Sequence, residues 1–108
     1  MYVSEEQWSQ TEKEVAKRAF EKAYHLEIER LTNEVKIKAN TIHHVDDIWQ
    51  LHDFLSARRH DIDGKYDYRY SSLIFVFAQL VQDGLLSMEE LEGLAQDKCA
   101  KIAALSRM

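Results

Sequence analysis

SSLIFVFAQLVQDG, residues 71–84, decides the fold. Its β-branched and aromatic residues suit a buried strand as well as a buried helix, and periodicity alone does not separate the two. Context does: the segments on both sides read as helices, and a lone strand would have no partner for its backbone groups. The stretch is therefore a helix ended by Gly84, and the chain is all-α. Leu73, Ile74, Phe75, Val76 and Phe77 cover the whole circumference of such a helix, so some of them face something other than the core of their own chain.

Upstream, SQTE at residues 9–12 fits a capping box and opens a helix. Apolar positions recur in steps of three and four at Ala16, Phe20, Ala23, Tyr24, Ile28, Leu31, Val35 and Ala39, with no Gly or Pro between them. Thirty residues at about 1.5 Å each span roughly 45 Å, longer than the roughly 35 Å diameter of a compact body of this chain length. Part of this long N-terminal helix overhangs, and its Ile, Leu and Val stripe needs cover. A second copy of the chain is the simplest source, so the expectation is a helical homodimer. NTIHHVDD supplies a turn; the next helix runs to Asp63 and stops at Gly64. Downstream, SMEE at residues 87–90 is a second capping box. Met88, Leu91, Leu94, Ala95, Ile102 and Leu105 then form the stripe of a fourth helix. With four or so helices in 108 residues, no Pro and three Gly, residues 1–108 read as one domain.

Charged residues make up 31% and apolar residues 45%, which excludes wholesale disorder. A net charge of −5 without a Lys/Arg cluster excludes a nucleic-acid partner. Cys99 is the single cysteine, so neither an intrachain disulfide nor a Cys-type zinc site forms, and a reducing compartment suits it. The start MYVSEEQW has neither a basic nor an apolar signal region, and LIFVFAQLV is too short to span a bilayer; a soluble, cytoplasmic protein is expected.

WQLHDFLSARRHDIDGKYDYR, residues 49–69, concentrates the chemistry. On a helical wheel Ile48, Leu51, Leu55 and Ile62 share one face, the expected core face. Trp49, His52, Asp53, Ser56, Arg59, His60 and Asp63 lie within about 120° on another, otherwise polar stripe. Asp53 has Trp49, Gln50, Ser56 and Ala57 at helical neighbour positions, so no cation along its helix neutralises it. One account is a solvated face with its tryptophan tucked under a neighbour. The other is a docking patch, since Trp, Arg and Tyr dominate interface hot spots.

A catalytic account needs more than the sequence offers. The doublets His52-Asp53 and His60-Asp61 resemble part of the ligand set of HD-type metal-dependent phosphohydrolases, with His25, His43 or His44 and Asp83 or Asp97 left to complete it. The chain is short for that fold. HHVDD lacks an HExxH, ExxH or CxxC companion, and no Gly-rich phosphate loop or nucleophile elbow is present. No catalytic residues, metal, cofactor or small-molecule substrate are therefore expected.

With IFVFAQL at residues 74–80, the 49–69 segment resembles the cyanobacterial fluorescence recovery proteins, and the likeness extends from WSQTE at Trp8 to KIAALSR at residues 101–107. The resemblance implies an all-helical, non-enzymatic homodimer that binds the photoactivated red form of the orange carotenoid protein, chiefly through that protein's C-terminal domain. Binding would speed return to the orange form and release from the phycobilisome, so that antenna energy transfer recovers, at the cytoplasmic face of the thylakoid membrane. It places the partner-binding patch on Trp49, His52, Asp53 and Arg59, with Phe75 and Lys101 as a second contact region. Cys99, Tyr68 and Tyr70 match no motif of that family.

Overall fold

A computed structural model describes residues 7–108; the reading of the N-terminal stretch falls largely on residues 1–6 and lies outside them. Four α-helices follow in order: α1 Gln10–Ala39, α2 Val45–Lys65, α3 Leu73–Gln82 and α4 Gln96–Ser106, with a 3-10 turn at Met88–Leu91 between the last two. The described residues are all-α, as expected. The ambiguous 71–84 stretch is helical, and six of its apolar side chains are inward: Leu73, Ile74, Val76, Phe77, Ala78 and Leu80 are buried, while Phe75 is 53% exposed.

The overhang is real. The molecule measures 53 × 25 × 23 Å with a radius of gyration of 16.7 Å, above the roughly 13 Å of a compact chain this long. Two regions share that length. The head packs Trp8 and the first half of α1, through Val15, Ala16, Ala19 and Ala23, against α3, the 3-10 turn and α4. The arm is the second half of α1 beside α2 as far as Arg59. No residue of α1 after Glu27 is buried, and Ile62 is the one buried residue of α2.

Local chemistry fixes each junction. The Ser9 hydroxyl accepts from the Glu12 N–H at 3.1 Å, while the Glu12 carboxylate accepts from the Ser9 N–H at 2.9 Å, closing the expected capping box. The same carboxylate reaches across the head to the Ala95 N–H at 2.8 Å and the Lys98 ammonium at 3.0 Å. Lys98 also donates to the Gln7 carbonyl at 2.8 Å and lies 4.8 Å from the centre of the Trp8 ring. Burial alone would raise the Glu12 carboxyl pKa, but these donors outweigh it and hold the group below its usual range. At the end of α3, Gly84 at φ +75° lets the Leu85 N–H return to the Leu80 carbonyl and the Gly84 N–H to that of Val81, a Schellman ending.

Three expectations are corrected. Gly64 does not stop the second helix; α2 continues to Lys65. It ends because Tyr66 turns away, packing edge-on against Phe20 and Tyr24 and donating its hydroxyl to Glu27 at 2.7 Å. Tyr68 and Tyr70 continue that aromatic seam, from Phe20 at 4.8 Å to Trp8 at 5.6 Å, and fasten the α2–α3 connection onto α1. The stripe from Met88 to Leu105 is not one helix. Glu90 does accept from the Ser87 N–H, but the turn it caps is short, and Gly93 at φ +110° redirects the chain before α4. A Cβ at Gly93 would stand 2.6 Å from the Val15 side chain, so this close crossing requires glycine. Finally, the supposed core face of helix 2 is mostly outside: Ile48 and Leu55 are exposed and Leu51 is half-buried.

Candidate functional site

The polar stripe of α2 reaches solvent as a unit. Trp49 is 59% exposed, and the side chains of His52, Asp53 and Arg59 are all strongly exposed. Their mutual contacts are loose. His52 Nδ1 lies 3.2 Å from an Asp53 carboxylate oxygen, and Arg59 Nε lies 3.7 Å from Asp63 one turn on. Pairs this exposed contribute little to stability. Asp53 therefore has no cation along its helix, as its sequence neighbours implied. The set is a surface with aromatic area, a planar cation and a carboxylate still open to partners.

Arg58 and Arg59 divide. Arg58 turns inward to Glu34 of α1 at 2.9 Å and packs on Phe54, whose ring also carries Lys38 at 4.6 Å. The helical wheel separates them, putting Arg59 on the Trp49 stripe and Arg58 off it. The apolar neighbours Val45 and Ile48 of α2 and Ile37 of α1 stand exposed on the same arm.

HHVDD has a structural role. The Asp47 carboxylate accepts from the His43 and His44 backbone N–H groups at 3.0 and 3.1 Å, which lowers its pKa and caps the start of α2. Among the described residues no group of three or more His, Cys, Asp or Glu side chains is arranged to hold a metal ion, and the HD doublets find no completing ligands. The Cys99 thiol, half-buried near the Leu91 and Leu94 carbonyls, is raised in pKa by burial and by Glu12 and Asp97, away from thiolate chemistry.

Phe75 and Lys101 belong to the head, on α3 and α4, and Lys101 is half-buried. The six sequence-chosen residues thus form two groups, four on the arm stripe and two on the head. Between them the end of α2 is tied down by Lys65, which donates to Glu27 of α1 at 2.9 Å and to Asp83 at the end of α3 at 3.0 Å. Burial opposes the Lys65 charge, but the two carboxylates win and raise its pKa. Sequence reading missed this tie. No helix among the described residues is long and apolar enough to cross a membrane.

A family model described as photoprotection regulator fluorescence recovery protein matches residues 8–106. The fluorescence recovery protein of Synechocystis sp. (strain PCC 6803) is 52% identical over 108 residues, covering all of this chain and 99% of the relative. The solved structure of the Fremyella diplosiphon fluorescence recovery protein superposes with a TM-score of 0.91 at 57% identity, covering 94% of this chain and 99% of that one. The structure of the Synechocystis protein gives a TM-score of 0.90 at 54% identity, with the same coverage. From Trp8 to Ser106, in sequence and in helical architecture alike, the chain belongs to the fluorescence recovery protein family.

Proposed function

We propose that this chain, one domain acting as a homodimer, is a non-enzymatic regulator of photoprotection that binds the red form of the orange carotenoid protein through that protein's C-terminal domain. It accelerates return to the orange form and promotes release from the phycobilisome at the cytoplasmic face of the thylakoid membrane. The observation that carries the reading is Trp49, more than half exposed among the strongly exposed side chains of His52, Asp53 and Arg59 on one stripe of α2. Large aromatic area next to an arginine fork is hot-spot chemistry. Exposed Ile37, Val45 and Ile48 on the same arm support pairing with a second copy.

The mechanism is linkage. A protein changes the interconversion of two conformers only by its differential affinity for them or for the barrier between them. Bound to the red form, it holds its partner closer to the compact arrangement and needs no covalent step. The test is the dark red-to-orange relaxation rate of the carotenoid protein with and without this chain. The expected result is a rate that rises with added protein and saturates; an unchanged rate would overturn the reading.

A further inference from the structure

An open groove of about 520 Å3 runs between the end of α2 and α3, lined among others by Asp61, Gly64, Lys65, Phe75, Gln79 and Asp83. Gly64 is the informative residue. It sits inside α2 and is not among the glycines at positive φ, which are Gly84 and Gly93; a Cβ there would meet nothing within 4 Å. Neither backbone nor packing calls for glycine, and a helix interior disfavours it relative to alanine. What its missing side chain does is leave the groove open.

The groove's own donors are already engaged. Lys65 is shared between Glu27 and Asp83, and the Gln79 side-chain amide donates to Asp83 at 2.9 Å. Asp61 is exposed, and the cations at its helical neighbour positions face elsewhere, Lys65 to those two carboxylates and Arg58 to Glu34. Two carboxylates of the lining, Asp61 and Asp83, thus stand against one ammonium, beside the 53% exposed ring of Phe75. Acceptors beside an aromatic face suit a flat, weakly hydrated cation better than a compact ammonium. We infer that this groove is a docking site for an arginine side chain of the protein partner, its guanidinium stacked on Phe75 and hydrogen-bonded to Asp61. The inference rests on the reading of Phe75 as a contact residue and names the chemistry that residue meets.

The test uses a probe that does not need the partner. Nα-acetylarginine amide is titrated into isotope-labelled protein, with the uncharged Nα-acetylcitrulline amide as control. Saturable amide shifts at Gly64, Phe75 and Gln79 are expected, severalfold weaker with citrulline. Asp61→Asn should lower the affinity about tenfold, the loss of a charge-assisted hydrogen bond. Gly64→Leu, which has room to fold, should block the groove. Shifts scattered over the surface, or unchanged in Asp61→Asn, would overturn the inference. In the relaxation assay both variants should need about tenfold more protein for the same acceleration. If they keep full potency while Trp49→Ala loses it, the groove falls and the proposed function stands. If the unaltered chain gives no acceleration, the proposed function falls and the titration alone judges the groove. A drop in dimer mass for Asp61→Asn would make the occupant a second copy and overturn the heterologous docking.

Discussion

The head and the arm use the same residue types for opposite ends. In the head, Leu73, Phe77, Leu80, Leu91 and Ile102 have no exposed surface, and even the charged pair Glu12 and Lys98 is enclosed, with its hydrogen-bonding groups met by Ser9, Ala95 and Gln7. In the arm, Ile37, Val45, Ile48, Leu55 and Trp49 lie open, and the two helices are linked by Arg58 to Glu34 and by cations on Phe54. The contrast teaches that the head supplies the stability of the fold and leaves the arm's apolar face unused by its own chain. Such a face is available for binding.

The sharpest way to break that division is to attack the head's buried charge. Glu12→Ala leaves the Lys98 ammonium enclosed without its carboxylate and should cost about 3–5 kcal/mol in a urea titration. A loss below about 1 kcal/mol would mean that the head does not depend on the pair. The same group sets an acid limit. Its folded pKa lies below the ordinary glutamate value of 4.5, so its contribution is present above the unfolded value and is lost as pH falls through the folded one. The unfolding midpoint should therefore drop on acidification below about pH 4.5, and Glu12→Gln should flatten that slope.

Gly93→Ala comes next, at about 1–3 kcal/mol, because φ +110° strains any L side chain and the new methyl would meet Val15. Gly64→Ala has the opposite sign. With open space and an ordinary helical backbone it should stabilise α2 by about 0.5–1 kcal/mol, read as a higher midpoint. The smallest effect on the protomer's fold belongs to the arm. Ile48→Glu should change the unfolding free energy of the dilute chain by no more than about 0.5 kcal/mol, yet reduce the scattering mass at micromolar concentration to the 12.7 kDa of one chain. A variant that kept a dimer's mass would remove Ile48 from the proposed interface between copies.

Legibility in the sequence followed the range of the forces involved. The capping box at Ser9, the length of α1 and the helical state of 71–84 were readable because hydroxyl and carboxylate spacing and period-3.6 burial are local. Gly64 and Gly93 were not, since a lone glycine signals a stop, a groove or a close crossing alike, and only the Val15 side chain across the head distinguishes them. The face of Ile48, Leu51 and Leu55 was identified as apolar but assigned to the wrong neighbour; periodicity tells which residues share a face, not what covers it. The Trp49 stripe was legible for the converse reason. A tryptophan among charges contradicts the local rules for a core, and the side chain is indeed 59% exposed.

The most direct measurement pairs two readings on Trp49→Ala: its unfolding midpoint, and the acceleration it gives to dark relaxation of the carotenoid protein. The midpoint should shift by no more than about 0.5 kcal/mol, because the side chain is 59% exposed and lies outside the buried cluster of the head. The apparent affinity for the red form should fall roughly thirtyfold, the loss of about 2 kcal/mol typical of a hot-spot aromatic. Full acceleration at unchanged protein concentration would contradict the account, as would a midpoint that collapses together with the activity.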